Sequence, residues 1–198
     1  MRLIRLLRSA VDNPDTRGTF GEMIVASIFD PRFFGNDERY IVNDLIFKLP
    51  DESTHQIDHV LIYKKGIFCI ETKNISGFII GKDDDGEWTV MPKHKFNNYT
   101  IFNPIKQNKK HVIVLSEFLE YEYDIKSIIV FIHGNKPKGC CEQVLNLVEL
   151  KDYVKNYPCE KELTSEEMRS IFELLANYKG ENKVTKAEHI QNVRKKRQ

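Results

Sequence analysis

The segment HQIDHVLIYKKGIFCIETKN, residues 55–74, places charged side chains inside what its apolar residues predict to be two adjacent β-strands. Two apolar and aromatic runs flank a short polar turn, which is typical of a β-hairpin. Asp58 interrupts the first run, and Glu71 and Lys73 interrupt the second. Because an unpaired charge is costly to bury, the fold must bring these groups together or give them a partner.

The turn between the two strands decides which of these groups face each other. A two-residue turn at Lys64–Lys65 would set Asp58 opposite Glu71. A turn at Lys65–Gly66 would set Asp58 opposite Lys73, and we favour it because glycine readily adopts the positive φ of tight hairpin turns. Either turn keeps all three groups on one face, because strand side chains alternate, whereas a three-residue loop would separate them.

Two carboxylates and a lysine on one face of a sheet are suited to binding a divalent cation. Neighbouring carboxylates repel each other, and Mg²⁺ removes that cost by taking oxygen ligands from carboxylates, water and substrate phosphate. Such a cation activates water for phosphodiester hydrolysis, and Lys73 would orient the water or stabilise the transition state. The alternative is a plain cross-strand ion pair between Asp58 and Lys73, with Glu71 at a solvated strand end.

The rest of the chain predicts an α/β protein. The pattern of apolar residues and turn signals indicates a helix over 18–29, strands over 40–49, 55–63 and 67–74, a hairpin over 76–91, a helix from Pro104, strands over 125–133 and 145–150, a short helix over 151–156 and a last helix capped by Thr164 and Glu167. This order predicts a mixed central sheet flanked by helices, with an added C-terminal helix.

Length and charge predict one domain followed by a basic tail. The 198 residues suit a single domain over 1–178 with a core over about 15–135. Seven lysines and arginines lie in residues 179–198, which we expect to be flexible or helical. The net charge of +1 does not by itself demand a nucleic-acid partner.

The cysteines and the hydropathy pattern predict a cytoplasmic protein. None of the four cysteines forms a C-x-x-C pair, so we expect free thiols in a reducing compartment. No apolar run is long enough to span a bilayer, so no stable membrane insertion is expected. The sequence does not predict an oligomeric state.

Five segments together resemble the nuclease-related domain (NERD) family of the PD-(D/E)xK nuclease superfamily. The resemblance lies in GTFGE (18–22), QIDHVLI (56–62), GIFCIETKNISGFIIG (66–81), Trp88 and NPIKQNKKH (103–111), and it covers about residues 15–135. It implies a restriction-endonuclease-like core built from a helix, a three-stranded antiparallel meander, a helix and a further strand. One position departs from the family pattern, since Ile57 rather than proline precedes Asp58.

The same resemblance implies a role for each matching residue. Asp58, Glu71 and the backbone carbonyl of Thr72 match metal ligands, and Glu22 matches a third carboxylate of the metal shell. Lys73 matches the catalytic lysine, and Gln107 matches a glutamine that lies near the site. The implied function is Mg²⁺- or Mn²⁺-dependent cleavage of nucleic acid, with DNA favoured, and the alternative is a catalytically weak nucleic-acid-binding or regulatory module.

Two further interpretations stay open at this point. His111 lies one helical turn beyond Gln107, so it either faces the site or is an ordinary packing residue. Trp88, Tyr99 and Phe102 either stack on bases or are buried in the core, and we favour burial.

Overall fold

A computed structural model describes residues 14–93, 97–133, 136–182, 184–186, 188, 189 and 191. Helices and strands alternate along this part of the chain. The strands are β1 (Arg39–Lys48), β2 (Thr54–Tyr63), β3 (Gly66–Lys73), β4 (Phe78–Ile80), β5 (Glu87–Met91), β6 (Tyr99–Phe102), β7 (Ile125–Phe131) and β8 (Val144–Asn146). The helices are α1 (Pro14–Ile28), α2 (Pro31–Phe34), α3 (Pro104–Phe118), α4 (Leu147–Lys155) and α5 (Ser165–Glu181).

Five strands form a mixed central sheet in the order β1-β2-β3-β7-β8. The first three strands pair in antiparallel fashion, and β7 joins β3 in parallel after the crossover through α3. This topology confirms the predicted core of helix, three-stranded antiparallel meander, helix and further strand. The polar ends of β2 and β3 therefore lie in the middle of the sheet rather than at its edge.

Helices cover both faces of the central sheet. On one face, Leu115 of α3 and Leu175 of α5 join Cys69 of β3 in a single buried cluster. On the other face, Val25 of α1 packs in a second cluster with Phe68 of β3. Because side chains alternate along a strand, the residues two and four positions after Cys69 point toward the α3 layer.

A tight turn at Lys64–Lys65 joins β2 to β3, so the predicted turn at Lys65–Gly66 is wrong. Gly66 is already the first residue of β3 and pairs with Tyr63. Its φ of 135° shows that the glycine is needed beside the turn rather than within it. The register pairs His59 with Ile70, and one step further it sets Asp58 across from Glu71.

A second, three-stranded antiparallel sheet has the order β4-β5-β6. The hairpin predicted over 76–91 is confirmed as β4 and β5, whereas β6 was not predicted. Trp88 is fully buried in this sheet and stacks on Phe131 of the central sheet, with ring centroids 6.3 Å apart. Burial of Trp88 confirms the favoured interpretation of that residue, whereas Tyr99 and Phe102 are exposed, so burial is wrong for these two.

The boundary between β8 and α4 differs from the prediction. We expected a strand over 145–150 and a helix over 151–156, but the helix already begins at Leu147. The backbone N–H of Asn146 donates to the Glu149 carboxylate at 2.6 Å, which caps the helix at this earlier residue. The predicted capping box of α5 is confirmed, because Glu167 accepts from the Thr164 N–H at 2.7 Å.

Two further features of the structure are the state of the cysteines and the length of the helices. All four cysteines are free thiols, as predicted. Within the described part of the chain, no helix combines the length and the apolar character needed to cross a membrane. The predicted division into a domain over 1–178 and a tail stays a prediction, because much of the tail lies outside the described residues.

A glycine-to-alanine pair tests the packing of the second sheet. A Cβ at Gly81 would lie 2.0 Å from Cδ1 of Trp88, whereas a Cβ at Gly86 would meet nothing within 4 Å. Because the indole is fully buried and cannot move into solvent, we expect Gly81→Ala to lower the free energy of unfolding by about 3 kcal/mol. Gly86→Ala should change it by less than about 1 kcal/mol. Urea denaturation of both variants measures the difference, and equal effects would contradict the packing of Trp88 on Gly81.

Candidate active site

The charged groups at the end of β3 share one face, as the strand alternation predicts. Glu71 is 3% exposed, and its Oε1 lies 2.6 Å from the Lys73 ammonium. Asp58 approaches from β2, where its Oδ2 accepts a hydrogen bond from the Thr72 N–H at 2.8 Å. The carboxylate of Asp58 thus takes the place of a backbone partner at the point where the β2–β3 ladder ends.

Gln107 of α3 forms hydrogen bonds to both Glu71 and Lys73. Its side-chain N–H group donates to Glu71 Oε1 at 2.7 Å, and its carbonyl oxygen accepts from Lys73 Nζ at 3.0 Å. The amide therefore satisfies both charged groups at once and fixes their orientation. The structure places Gln107 at the site, where the sequence resemblance puts it.

The next residue, Asn108, fixes the helix that carries Gln107. Asn108 is fully buried, and its side-chain N–H group donates to the Cys69 carbonyl and to Ser127 Oγ, both at 2.9 Å. These bonds tie α3 to β3 and β7 directly behind the site. Sequence reasoning missed Asn108, although a lone asparagine in the middle of an amphipathic helix is an informative signal.

His111 also faces the site, which settles one of the open interpretations. Its Nε2 lies 3.5 Å from Glu71 Oε2, on the side of the carboxylate away from Lys73. The imidazole is 6% exposed and meets the ring of His55 edge-on at 5.8 Å. Glu71 is thus enclosed between a lysine, an amide and an imidazole.

The two strand carboxylates have opposite electrostatic environments. Burial raises the pKa of Asp58 well above its ordinary value, and repulsion from Glu71 and Glu22 raises it further. Burial also raises the pKa of Glu71, but Lys73 and His111 outweigh it and lower that pKa to about 2. Asp58 is therefore the carboxylate whose ionised form would gain most from an added cation.

Glu22 reaches the site from α1, with a partner that the sequence did not predict. The helix can come close to β3 because a Cβ at Gly21 would already lie 2.9 Å from Asn74 Cβ. Oε2 of Glu22 lies 2.5 Å from the ammonium of Lys186, a residue beyond α5. The same ammonium lies 2.8 Å from Oδ1 of Asp44 in β1. The structure thus adds Asp44 and Lys186 to the predicted set.

The groups around Asp58 include oxygen donors of the kind that a hard divalent cation takes. In an extended strand the N–H and C=O of one residue point to the same side, so the Thr72 carbonyl opens toward Asp58, as its N–H does. The four carboxylates and two ammonium groups of the site have a formal net charge of −2 when ionised; they are Glu22, Asp44, Asp58, Glu71, Lys73 and Lys186. Within the described ranges, no three His, Cys, Asp or Glu side chains already form a metal-binding group. The backbone carbonyl and water would therefore have to complete the coordination.

Comparisons with known proteins locate the site within a family. The model of the nuclease-related domain matches residues 17–132, which is more than half of the chain. An uncharacterized protein of Bacillus anthracis is 24% identical over 196 residues, which cover 92% of this chain and 86% of that protein. No solved structure matches the chain. The matched region contains every predicted site residue, whereas Lys186 lies outside it.

Proposed function

Because the chain belongs to the nuclease-related domain family, we propose that it is a metal-dependent nuclease that cleaves phosphodiester bonds with an activated water. One observation carries the proposal. Asp58, Glu71 and Lys73 converge on one face of the sheet, and Gln107 bonds to both charged groups of β3. A plain structural ion pair needs neither a second carboxylate nor an amide that orients the lysine.

The proposed cofactor is Mg²⁺ or Mn²⁺, held by Asp58, Glu71 and the Thr72 carbonyl, with Glu22 in the outer shell. When bound, such a cation lowers the pKa of a coordinated water and offsets the charge of the phosphate. Oxygen donors favour these two cations over softer metals. The raised pKa of Asp58 supports this assignment, since an added cation would stabilise its ionised form.

Lys73 is the residue that acts on the substrate. Its side chain is 17% exposed, and its ammonium contacts Glu71 and Gln107 at the polar end of β3. From that position it would orient the attacking water and stabilise negative charge that develops on the phosphate. Gln107 is a positioning residue, because it acts through the lysine and the glutamate.

We propose nucleic acid as the substrate and favour DNA. Basic side chains follow Gln107 along α3, and Lys109 and Lys110 are exposed. The Lys110 ammonium lies 5.3 Å from the ring centroid of Phe102, itself exposed, so charge and an aromatic face lie together beside the site. Lysines contact phosphates, and aromatic faces stack on unpaired bases.

A second candidate is a nucleic-acid-binding or regulatory module with little turnover. Lys186 already pairs with Glu22 and Lys73 already pairs with Glu71. A cation that binds Glu71 must compete with Lys73, and one that uses Glu22 in its outer shell must compete with Lys186. If it does not, the fold would still present basic residues to nucleic acid but would cleave slowly.

A metal-dependence assay tests the proposal. Incubation of the protein with supercoiled plasmid or single-stranded DNA should give cleavage in Mg²⁺ or Mn²⁺ and none in EDTA, because the water is activated by the cation. Asp58→Ala and Lys73→Ala should abolish the signal. Cleavage that persists in EDTA or in both variants would overturn the mechanism, and DNA binding without cleavage would favour the second candidate.

A further inference from the structure

Lys186 forms a contact at the site that the family match does not include. Its ammonium bridges two carboxylates from different elements, Glu22 of α1 and Asp44 of β1. Glu22 precedes Lys186 by 164 residues, so the contact depends on how the segment after α5 folds back. The lysine side chain is 32% exposed, so it is partly accessible to solvent rather than buried in the core.

β1 has an irregular backbone conformation at Asp44, the residue that pairs with Lys186. Asp44 has a φ of 49°, a left-handed conformation that aspartate tolerates better than most residues. The β1–β2 register pairs Asn43 with His59 and Leu45 with Ile57, so Asp44 lies across from Asp58. Oδ1 of Asp44 accepts from Gln56 Nε2 at 2.9 Å as well as from Lys186. The lysine charge therefore lies next to the carboxylates that would hold a cation.

Lys186 remains a cation in this setting. Its ammonium pairs with two carboxylates, Glu22 at 2.5 Å and Asp44 at 2.8 Å, and both favour the charged form. A second positive charge a few ångströms away would be repelled in a partly buried site. An ammonium on Glu22 and a divalent cation at the same cluster thus oppose each other.

The segment that carries Lys186 is held by polar contacts that can open. Thr54 Oγ1 lies 2.6 Å from His189 Nδ1, and the side chain of Asn182 donates to the Ile46 carbonyl. By contrast, α5 itself is anchored by buried apolar residues such as Leu175. None of the residues described after α5 is buried. Segments with few buried apolar contacts open at low free-energy cost, so this part of the chain can leave while α5 stays in place.

We propose that Lys186 is a built-in competitor of the divalent cation: it neutralises Glu22 and Asp44 in the metal-free protein and is displaced when the cation binds. This inference rests on the proposed function, because it concerns the same metal site. It assigns the segment after α5 a regulatory role at the site. Entry of the cation and release of the segment become one coupled equilibrium.

Calorimetric titration of the full chain with Mn²⁺ tests the competition. Lys186→Gln keeps an unbranched polar side chain, one atom shorter, but removes its charge, so the Kd for Mn²⁺ should fall by about tenfold because the competing ion pairs are lost. Lys179→Gln is the matched control, since Lys179 lies in the last turn of α5 and donates to the backbone carbonyl of Asn43 rather than to a carboxylate. Its Kd should equal that of the wild-type protein.

The outcomes separate this inference from the proposed function. If Lys186→Gln binds Mn²⁺ no tighter than wild type while Asp58→Asn abolishes binding, the metal site stands and the competition is wrong. If neither wild type nor Lys186→Gln binds Mn²⁺, both ideas are wrong. Tighter binding by Lys186→Gln without any DNA cleavage would support the competition and overturn the nuclease proposal.

Hydrogen exchange gives a second readout that does not depend on activity. In the wild-type protein, saturating Mn²⁺ should speed amide exchange in the peptide that contains Lys186 and His189, because the segment leaves the site. Exchange in the α5 peptide around Leu175 should not change. Slower exchange of the Lys186 peptide on addition of Mn²⁺ would mean that the cation fastens the segment, which overturns the proposal.

Discussion

Glu71→Gln is expected to lower metal-dependent cleavage by about 1000-fold or more, because it removes a proposed metal ligand and the anion that holds Lys73. Glu71 Oε1 accepts from both Lys73 and Gln107, at 2.6 and 2.7 Å. Glutamine has the same shape, but its amide cannot accept both bonds and bind a cation as well. The loss should therefore appear in the chemical step even when DNA still binds.

Single-turnover cleavage in Mg²⁺ measures this loss, and thermal unfolding shows whether the variant remains folded. Stability should fall, because the substitution leaves the largely buried Lys73 ammonium without its anionic partner. Glu117→Gln is the control on α3, because Glu117 is exposed and lies about three turns beyond Gln107. Cleavage by Glu71→Gln within tenfold of the wild-type rate would contradict the role given to Glu71.

The shared face of the charged groups could be predicted because it depends only on strand alternation. Asp58, Glu71 and Lys73 lie on one face for either two-residue turn. The prediction of the site therefore did not depend on which turn was chosen. The prediction of the turn position was wrong because a glycine with positive φ can lie within a hairpin turn or directly beside it. Pairing of Gly66 with Tyr63 across the sheet decides between these options, and the local sequence does not contain that information.

The sequence contains a capping signal for the start of α4, but we gave more weight to the apolar residues that favour a strand over 145–150. Asn146 and Glu149 are three residues apart, which is the spacing of a capping box, and their hydrogen bond does cap the helix. The apolar residues between 145 and 150 favour a strand equally well, because a short apolar run fits both structures. The capping residues were therefore the better evidence for this boundary.

The contact of Lys186 with Glu22 could not be read from the sequence. The two residues are 164 positions apart, and no local pattern connects a lysine in a basic tail with a carboxylate on the first helix. The sequence did single out each end of the contact separately, Lys186 within the basic segment over 179–198 and Glu22 as a carboxylate of the metal shell. Only the tertiary fold brings these charges together.

Asn108→Asp is expected to lower the free energy of unfolding by about 3 kcal/mol or more, because it replaces a buried donor group with a carboxylate. The side-chain N–H group of Asn108 donates to the Cys69 carbonyl at 2.9 Å and to the Ile128 carbonyl at 3.2 Å. An ionised carboxylate in that place would face two carbonyl oxygens and has no proton to give them. Urea denaturation measures the loss, and Asn97→Asp, at an exposed position, should change stability by less than about 0.5 kcal/mol.

The pH dependence of the same variant separates a charge effect from a loss of shape. Because the new carboxyl would be buried beside carbonyl groups, its pKa in the folded state should be raised above the unfolded value. The destabilisation should therefore be smallest in acidic buffer, where the carboxyl is protonated in both states, and should grow as the pH rises past the unfolded pKa. A pH-independent loss would indicate that packing alone is disturbed at Asn108. Cleavage should fall together with stability only if α3 shifts, since Gln107 is positioned by the anchor that its neighbour provides.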